Sequence, residues 1–315
     1  MTWDQLRLTW RMQRWELAIL IGGCSLLALA MAVVAWQLDL SREAVASCYR
    51  VSNGAAISES CRSTIEWGNL LASAVGILGA AATFAPFPLG IFLGAPLVAR
   101  EIEHRTAPIA WSLSLSRRGW LAGRTLPLLI LIGVALLAVG QASELMLSSV
   151  EESELGFRHY GMFGPLIAAR GLAVFAIGVV VGLAVGRVLP AILVTTLAAV
   201  ALTAGLSIGR DVIMRAESVW VPMGDQSEVV AMVYDSGFRS ATTGEVITWE
   251  QAYNQYPGAF NEMGEGAPPD MISVWRIVPP ERFGLFVARE AGILVATVLA
   301  IGGLGSVLVG SRRPD

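Results

Sequence analysis

Six stretches of this chain stay apolar for longer than a folded soluble domain needs. They run from about Leu17 to Trp36, from Leu70 to just before Arg100, from Leu121 to Leu147, from Met162 to Val185, from the turn at Gly186-Arg-Val-Leu-Pro190 to about Ile208, and from Phe283 to Val309. Roughly 20 helical residues cross a bilayer core, so each run reads as a transmembrane helix. Hydrophobic residues make up 55% of the chain and charged residues only 15%, with a mean hydropathy of +0.62, which excludes an ordinary soluble domain. The first run lacks a small-x-small cleavage site ahead of a mature domain, so it reads as a retained helix and not a signal peptide. The fold class expected is an all-α membrane protein of six spans.

The polar segments fill in the plan. Residues 1–16 interleave Trp3, Leu6 and Trp10 with Arg7, Arg11 and Arg14, the profile of a short helix lying in the membrane interface. Cys48 and Cys61 share the polar loop after the first span, where they can form a disulfide or remain as two thiols. Residues 209–282 are polar and rich in Gly and Pro, with β-prone runs at Val229 to Tyr234 and Glu245 to Trp249 and a helical turn or two at Trp249 to Tyr256. That stretch reads as a small mixed α/β insert outside the membrane. The expected divisions are 1–208 for the interfacial helix and five spans, 209–282 for the insert, and 283–315 for the last span and tail.

Charge orients this plan. Six spans place both termini, the loop after the second span and the turn at Arg187 on one side, and those segments hold eleven arginines against five acidic residues. The remaining segments hold eleven arginines and twenty acidic residues, so the positive-inside rule puts the termini in the cytoplasm and the insert outside. No basic tract or stacking-aromatic module argues for nucleic acid. All 22 basic residues are arginine, and without a lysine the chain cannot hold the GxxxxGK[ST] phosphate loop. Any ATP hydrolysis must come from another polypeptide.

The densest charge lies between the second and third spans, in Gly94-Ala-Pro-Leu-Val-Ala-Arg-Glu-Ile-Glu-His-Arg-Thr-Ala-Pro-Ile-Ala-Trp-Ser, followed by Ser116-Arg-Arg-Gly-Trp120. Pro108 breaks any helix soon after Thr106, so two short helical pieces are expected, forming either a small amphipathic element or a solvated loop. This pattern resembles the first cytoplasmic loop of actinobacterial-type ABC transporter permeases. Thr9-Trp-Arg11, Gly182-Leu-Ala-Val-Gly-Arg-Val-Leu-Pro-Ala191 and Arg282-Phe-Gly-Leu-Phe-Val-Ala-Arg-Glu-Ala-Gly292 extend the resemblance to every part except the insert.

The resemblance implies that residues 99–119 form a coupling element docking on a separate ABC ATPase subunit, which binds the ATP and Mg. On that reading Arg100, Glu101, Glu103, His104, Arg105 and Thr106 offer polar contacts, while Ile102 and Ile109 fill apolar pockets. It also implies a permease homodimer, or a pair with a similar permease, in a bacterial cell membrane. The expected task is export of a small amphipathic compound, lipid or peptide.

Charges within the spans raise a separate question, since an ionisable group in hydrocarbon needs a partner or a task. Glu144, Arg170, Arg289 and Glu290 all fall in the outer third. Either they pair to shape an outer gate, or they bind substrate or relay protons. Two other classes remain to weigh. An intramembrane enzyme is disfavoured because His104 and His159 fall on opposite sides of the membrane and no Cys/His ligand set is present. A sensor or scaffold subunit, whose insert binds a ligand or protein, stays open as the alternative to a transporter. A secondary transporter is disfavoured by the lack of internal repeats.

Overall fold

The computed structural model describes residues 14–51, 58–112, 116–150, 157–223, 232–260 and 266–311. The interfacial helix expected over residues 1–16 therefore lies almost wholly outside the described residues, as does the C-terminal tail from Arg312. Helix α1 spans Arg14–Val51, α2 Glu59–Phe84, α3 Pro86–Glu103, α4 Ala107–Ser112, α5 Arg117–Ser148, α6 Gly164–Val185 and α7 Val188–Ala216. After a small sheet carrying helix α8 (Trp249–Gln255), the long helix α9 runs over Phe283–Ser311. Six segments are long and apolar enough to cross a membrane: α1, α2 continued by α3, α5, α6, α7 and α9.

Two helices, α1 and α7, outlast the apolar runs that mark them: α7 continues past Ile208 to Ala216. Helix α1 continues well past Trp36 to Val51, because Asp39 to Ser47 contains no Gly or Pro and its residues suit a solvated helix. Hydropathy sees only the end of the apolar run, not the end of the helix. The second span is divided between α2 and α3 at Ala85: Pro86 has no N–H to donate, yet Ala85 keeps helical φ and ψ, so the two helices join without a loop.

The chain forms two compact units, one of Met1–Glu152, Gly161–Thr203 and Ala288–Asp315, the other of Ser153–Tyr160 and Ala204–Val287. In the first, α6 is the buried centre: 78% of its apolar window is enclosed, against 17–33% for the other spans. Its neighbour α3 approaches through glycines. A Cβ on Gly94 would lie 2.5 Å from the Phe175 carbonyl oxygen, and one on Gly182 would lie 2.4 Å from that of Ala95. With no hydrophobic effect between helices in lipid, such close backbone contact supplies the dispersion that holds them. Large side chains such as Ile19, Leu26, Leu197 and Leu299 stay exposed, as lipid-facing surfaces do.

The turn from α6 to α7 is tighter than the five residues expected. Gly186 ends α6 in the left-handed region at φ 68°, and α7 begins at Val188, with Pro190 in its first turn, where a missing N–H costs nothing.

The second unit holds an antiparallel sheet in the order β1-β4-β2-β3, built from β1 (Val219–Pro222), β2 (Met232–Ser240), β3 (Val246–Thr248) and β4 (Met271–Val278). The insert between the fifth and sixth spans is thus mixed α/β. Residues 229–231 of the expected first strand lie outside the described residues, and β2 begins at Met232. Thr248 ends β3 and caps α8, accepting from Gln251 N while the Gln251 side chain accepts from Thr248 N. Phe238, Val274, Ile277 and Val278 are buried, and Phe238 meets Phe260 beside the stacked Trp249 and Tyr253. Tyr234 on β2 has its phenol pushed up to about 12, first by burial and then by the nearby Asp211 carboxylate.

Candidate coupling site and intramembrane charges

The charged block after the second span is not a free-standing element. Arg100 to Glu103 form the last turn of α3, which closes with two nested bonds: Thr106 N donates to Glu101 O at 2.9 Å and Arg105 N to Ile102 O at 3.1 Å. That is the Schellman pattern, with Arg105 at φ 56° in the left-handed position that glycine usually fills. The Thr106 hydroxyl adds a bond to Glu101 O. The chain then reverses into α4, with Pro108 in its first turn. Helix α5 starts at the Ser116 cap, whose hydroxyl accepts from Gly119 N at 3.0 Å.

The predicted coupling residues divide into two sets. Three are tied inward. Glu101 is ion-paired with Arg124 of α5, and both side chains are largely buried. Glu103 accepts from the Val188 amide at the start of α7 at 2.9 Å, where the helix N-terminus favours a carboxylate. Ile102 packs on the main apolar core. Arg100 reaches Glu16 at 3.3 Å, an exposed pair of small energetic weight. His104, Arg105 and Thr106 are exposed, and Ile109 is 62% exposed on α4. The inward set fixes the turn to α5 and α7; the outward set forms a short ridge of polar residues and one isoleucine.

Sequence reasoning missed the residues that brace this ridge. Trp111 of α4 meets Trp120 of α5 edge to face at 5.9 Å, Arg117 lies 5.0 Å over the Trp111 ring, and Arg124 lies 5.6 Å over Trp120. One signal was legible: Arg124 stands two turns into an apolar helix and needs a carboxylate. Which carboxylate depends on packing.

The four intramembrane charges take separate arrangements. Arg170 of α6 donates from Nε and Nη2 to Glu290 Oε1 of α9, at 3.0 and 2.5 Å, with side chains only 12% and 6% exposed. Arg170 Nη1 also lies 3.5 Å from Gly161 O. Glu144 turns instead to α6, where its Oε1 accepts from Gly164 N at 2.7 Å. Phe163, at the helix cap, has no side-chain oxygen to do this, so a carboxylate from α5 caps α6. Arg289, next to Glu290, is exposed. Cys48 and Cys61 are joined by a disulfide. Among the described residues no group of His, Cys, Asp and Glu is arranged to hold a metal ion.

Six long apolar helices, with charges paired between them, define a multi-pass membrane protein. The family model described as ABC-2 membrane transporter related matches residues 21–209, more than half of the chain. The chain belongs to that family, and it is a membrane permease of an ABC transporter, a transport subunit rather than an enzyme. Permeases of this family typically work with an ATPase partner. No curated protein and no solved structure is significantly similar to the chain.

Proposed function

We propose that this permease exports a small amphipathic compound, lipid or peptide, driven by a separate ATPase that binds ATP and Mg and docks on the ridge formed by His104, Arg105, Thr106 and Ile109. The observation that carries this reading is the division of the 99–119 segment. Glu101 and Glu103 fasten it to α5 and α7, while Ile109 stands exposed beside polar residues. A short segment fixed to three spans moves them when it is pushed, and an exposed isoleucine a few residues after exposed polar groups suits a pocket on a partner.

Positive charge on the termini and the coupling loop supports a cytoplasmic ridge, with the sheet-bearing insert and the Cys48–Cys61 disulfide on the outer side of a bacterial cell membrane. The working unit is a homodimer or a pair with a similar permease, together with two ATPase chains. A sensor or scaffold subunit is the second reading, favoured by the separately folded sheet. Reconstituted permease and ATPase separate the two. Substrate-stimulated hydrolysis with vectorial transport supports the exporter; ligand-dependent hydrolysis without any transport supports the sensor.

A further inference from the structure

Three carboxylates around the end of α3 are each committed within the chain. Glu16 pairs with Arg100, Glu101 pairs with Arg124, and Glu103 accepts from the Val188 amide. Two arginines beside them are not committed. Arg105, just past the end of α3, and Arg187, in the turn from α6 to α7, are exposed. Neither makes an ion pair or a side-chain hydrogen bond among the described residues.

Glu103 brings the two arginines together. It stands two residues before Arg105, and the amide it accepts from, at 2.9 Å, belongs to the residue after Arg187. Next to that bond, Ala95, Ala99 and Ala191 are fully buried in one apolar cluster joined by Val188 and Ile192, so the end of α3 and the start of α7 are packed as one piece. Each arginine also sits where its residue type is unfavourable. Arg105 holds a left-handed position at φ 56° that glycine fits better, and Arg187 immediately precedes a helix N-terminus, whose partial positive charge repels it. Neither is placed to stabilise its own turn, and the two cations repel each other.

We propose, on the reading that residues 104–109 dock an ATPase, that Arg187 extends the dock to the turn between α6 and α7, and that the ATPase meets Arg105 and Arg187 with an acidic surface. A guanidinium is matched in charge and geometry by a carboxylate, and complementary charge of this kind speeds encounter and fixes register. Arg187 follows α6, the most enclosed span at 78%, and α3 packs along that helix, so the pair stands over packed helices and away from the lipid-facing sides. That favours a protein partner over the phosphates of surrounding lipid. A partner holding both turns grips α3, α6 and α7 at once.

The chain has no lysine, so Arg105→Lys and Arg187→Lys each introduce a single side-chain amine while keeping the charge. Each full-length variant, in membranes of the native host, is treated with a water-soluble carbodiimide, which joins that amine to a carboxylate in direct contact, and the crosslinked peptides are sequenced by mass spectrometry. Both variants are expected to join an Asp or Glu of one polypeptide that carries a glycine-rich phosphate-binding loop. Arg187→Glu is expected to lower the amount of that polypeptide co-purifying with the permease by about tenfold, at an unchanged melting temperature. If Arg105→Lys joins the ATPase and Arg187→Lys does not, or if folded Arg187→Glu retains it undiminished, the extension to Arg187 is overturned and the dock at 104–109 stands. If neither lysine variant joins an ATPase, the dock at 104–109 falls too. Undiminished ATPase in Arg187→Glu together with loss of bound phosphatidylglycerol, counted by native mass spectrometry, overturns the proposal in favour of a lipid contact.

Discussion

Glu101, in the last turn of α3, is ion-paired with Arg124 of α5, so the end of the second span is fastened to the start of the third. A substitution at Glu101 therefore changes the fold before it changes any docking. Glu101→Gln leaves a largely buried arginine without its carboxylate and lowers stability by about 3 kcal/mol. The exchange Glu101→Arg with Arg124→Glu recovers part of that loss. Thermal unfolding in detergent of the two single variants and the exchange measures the coupling between the sites.

Arg170 and Glu290 behave in the same way deeper in the spans. Either partner replaced alone by alanine costs about 3 kcal/mol, whereas Arg170→Met with Glu290→Leu together is much better tolerated, since an apolar pair leaves no unpaired charge. If Glu290→Gln assembles normally and shifts substrate preference, the pair has a transport role in addition to a structural one.

Gly94 packs its backbone on that of Phe175, and a methyl group there has no room. Gly94→Ala forces α3 away from α6 and destabilises by about 2 kcal/mol through overpacking. Gly123, also helical, has nothing within 4 Å of an added Cβ, so Gly123→Ala is neutral or mildly stabilising. Equal melting temperatures for the two variants would show that the contact between α3 and α6 is not as tight as described.

The Cys48–Cys61 bridge closes a loop with a sequence separation of 13. Its removal by Cys48→Ser with Cys61→Ser lowers stability by about 3 kcal/mol through a freer unfolded chain. In intact cells, a membrane-impermeant maleimide labels these cysteines after reduction and not before.

The spans were legible because each is a continuous apolar run. The mixed character of the insert was legible from Gly and Pro spacing around short β-prone runs. The length of α1 was not, since residues beyond Trp36 form helix without being apolar. Neither were the partners of Glu101, Glu103 and Glu144. Charge alone says that each carboxylate needs a partner; only the packing of α3, α5, α6 and α7 decides that these are Arg124, the Val188 amide and the Gly164 amide. The sequence placed Glu101 and Ile109 in one coupling motif, and burial separates them.

The proposed ATPase dock is formed by the exposed residues His104, Arg105, Thr106 and Ile109. The direct measurement is co-purification of the chain from its native host in mild detergent, as wild type and as Ile109→Asp with Arg105→Glu, with bound ATPase quantified against permease. Both positions are exposed, so the variant keeps its stability within about 0.5 kcal/mol. A stoichiometric ATPase is expected with the wild type, and a loss of at least about tenfold with the variant, as for an interface hot spot. A wild-type chain that runs without an ATPase, or a folded variant that retains it undiminished, would contradict the claim.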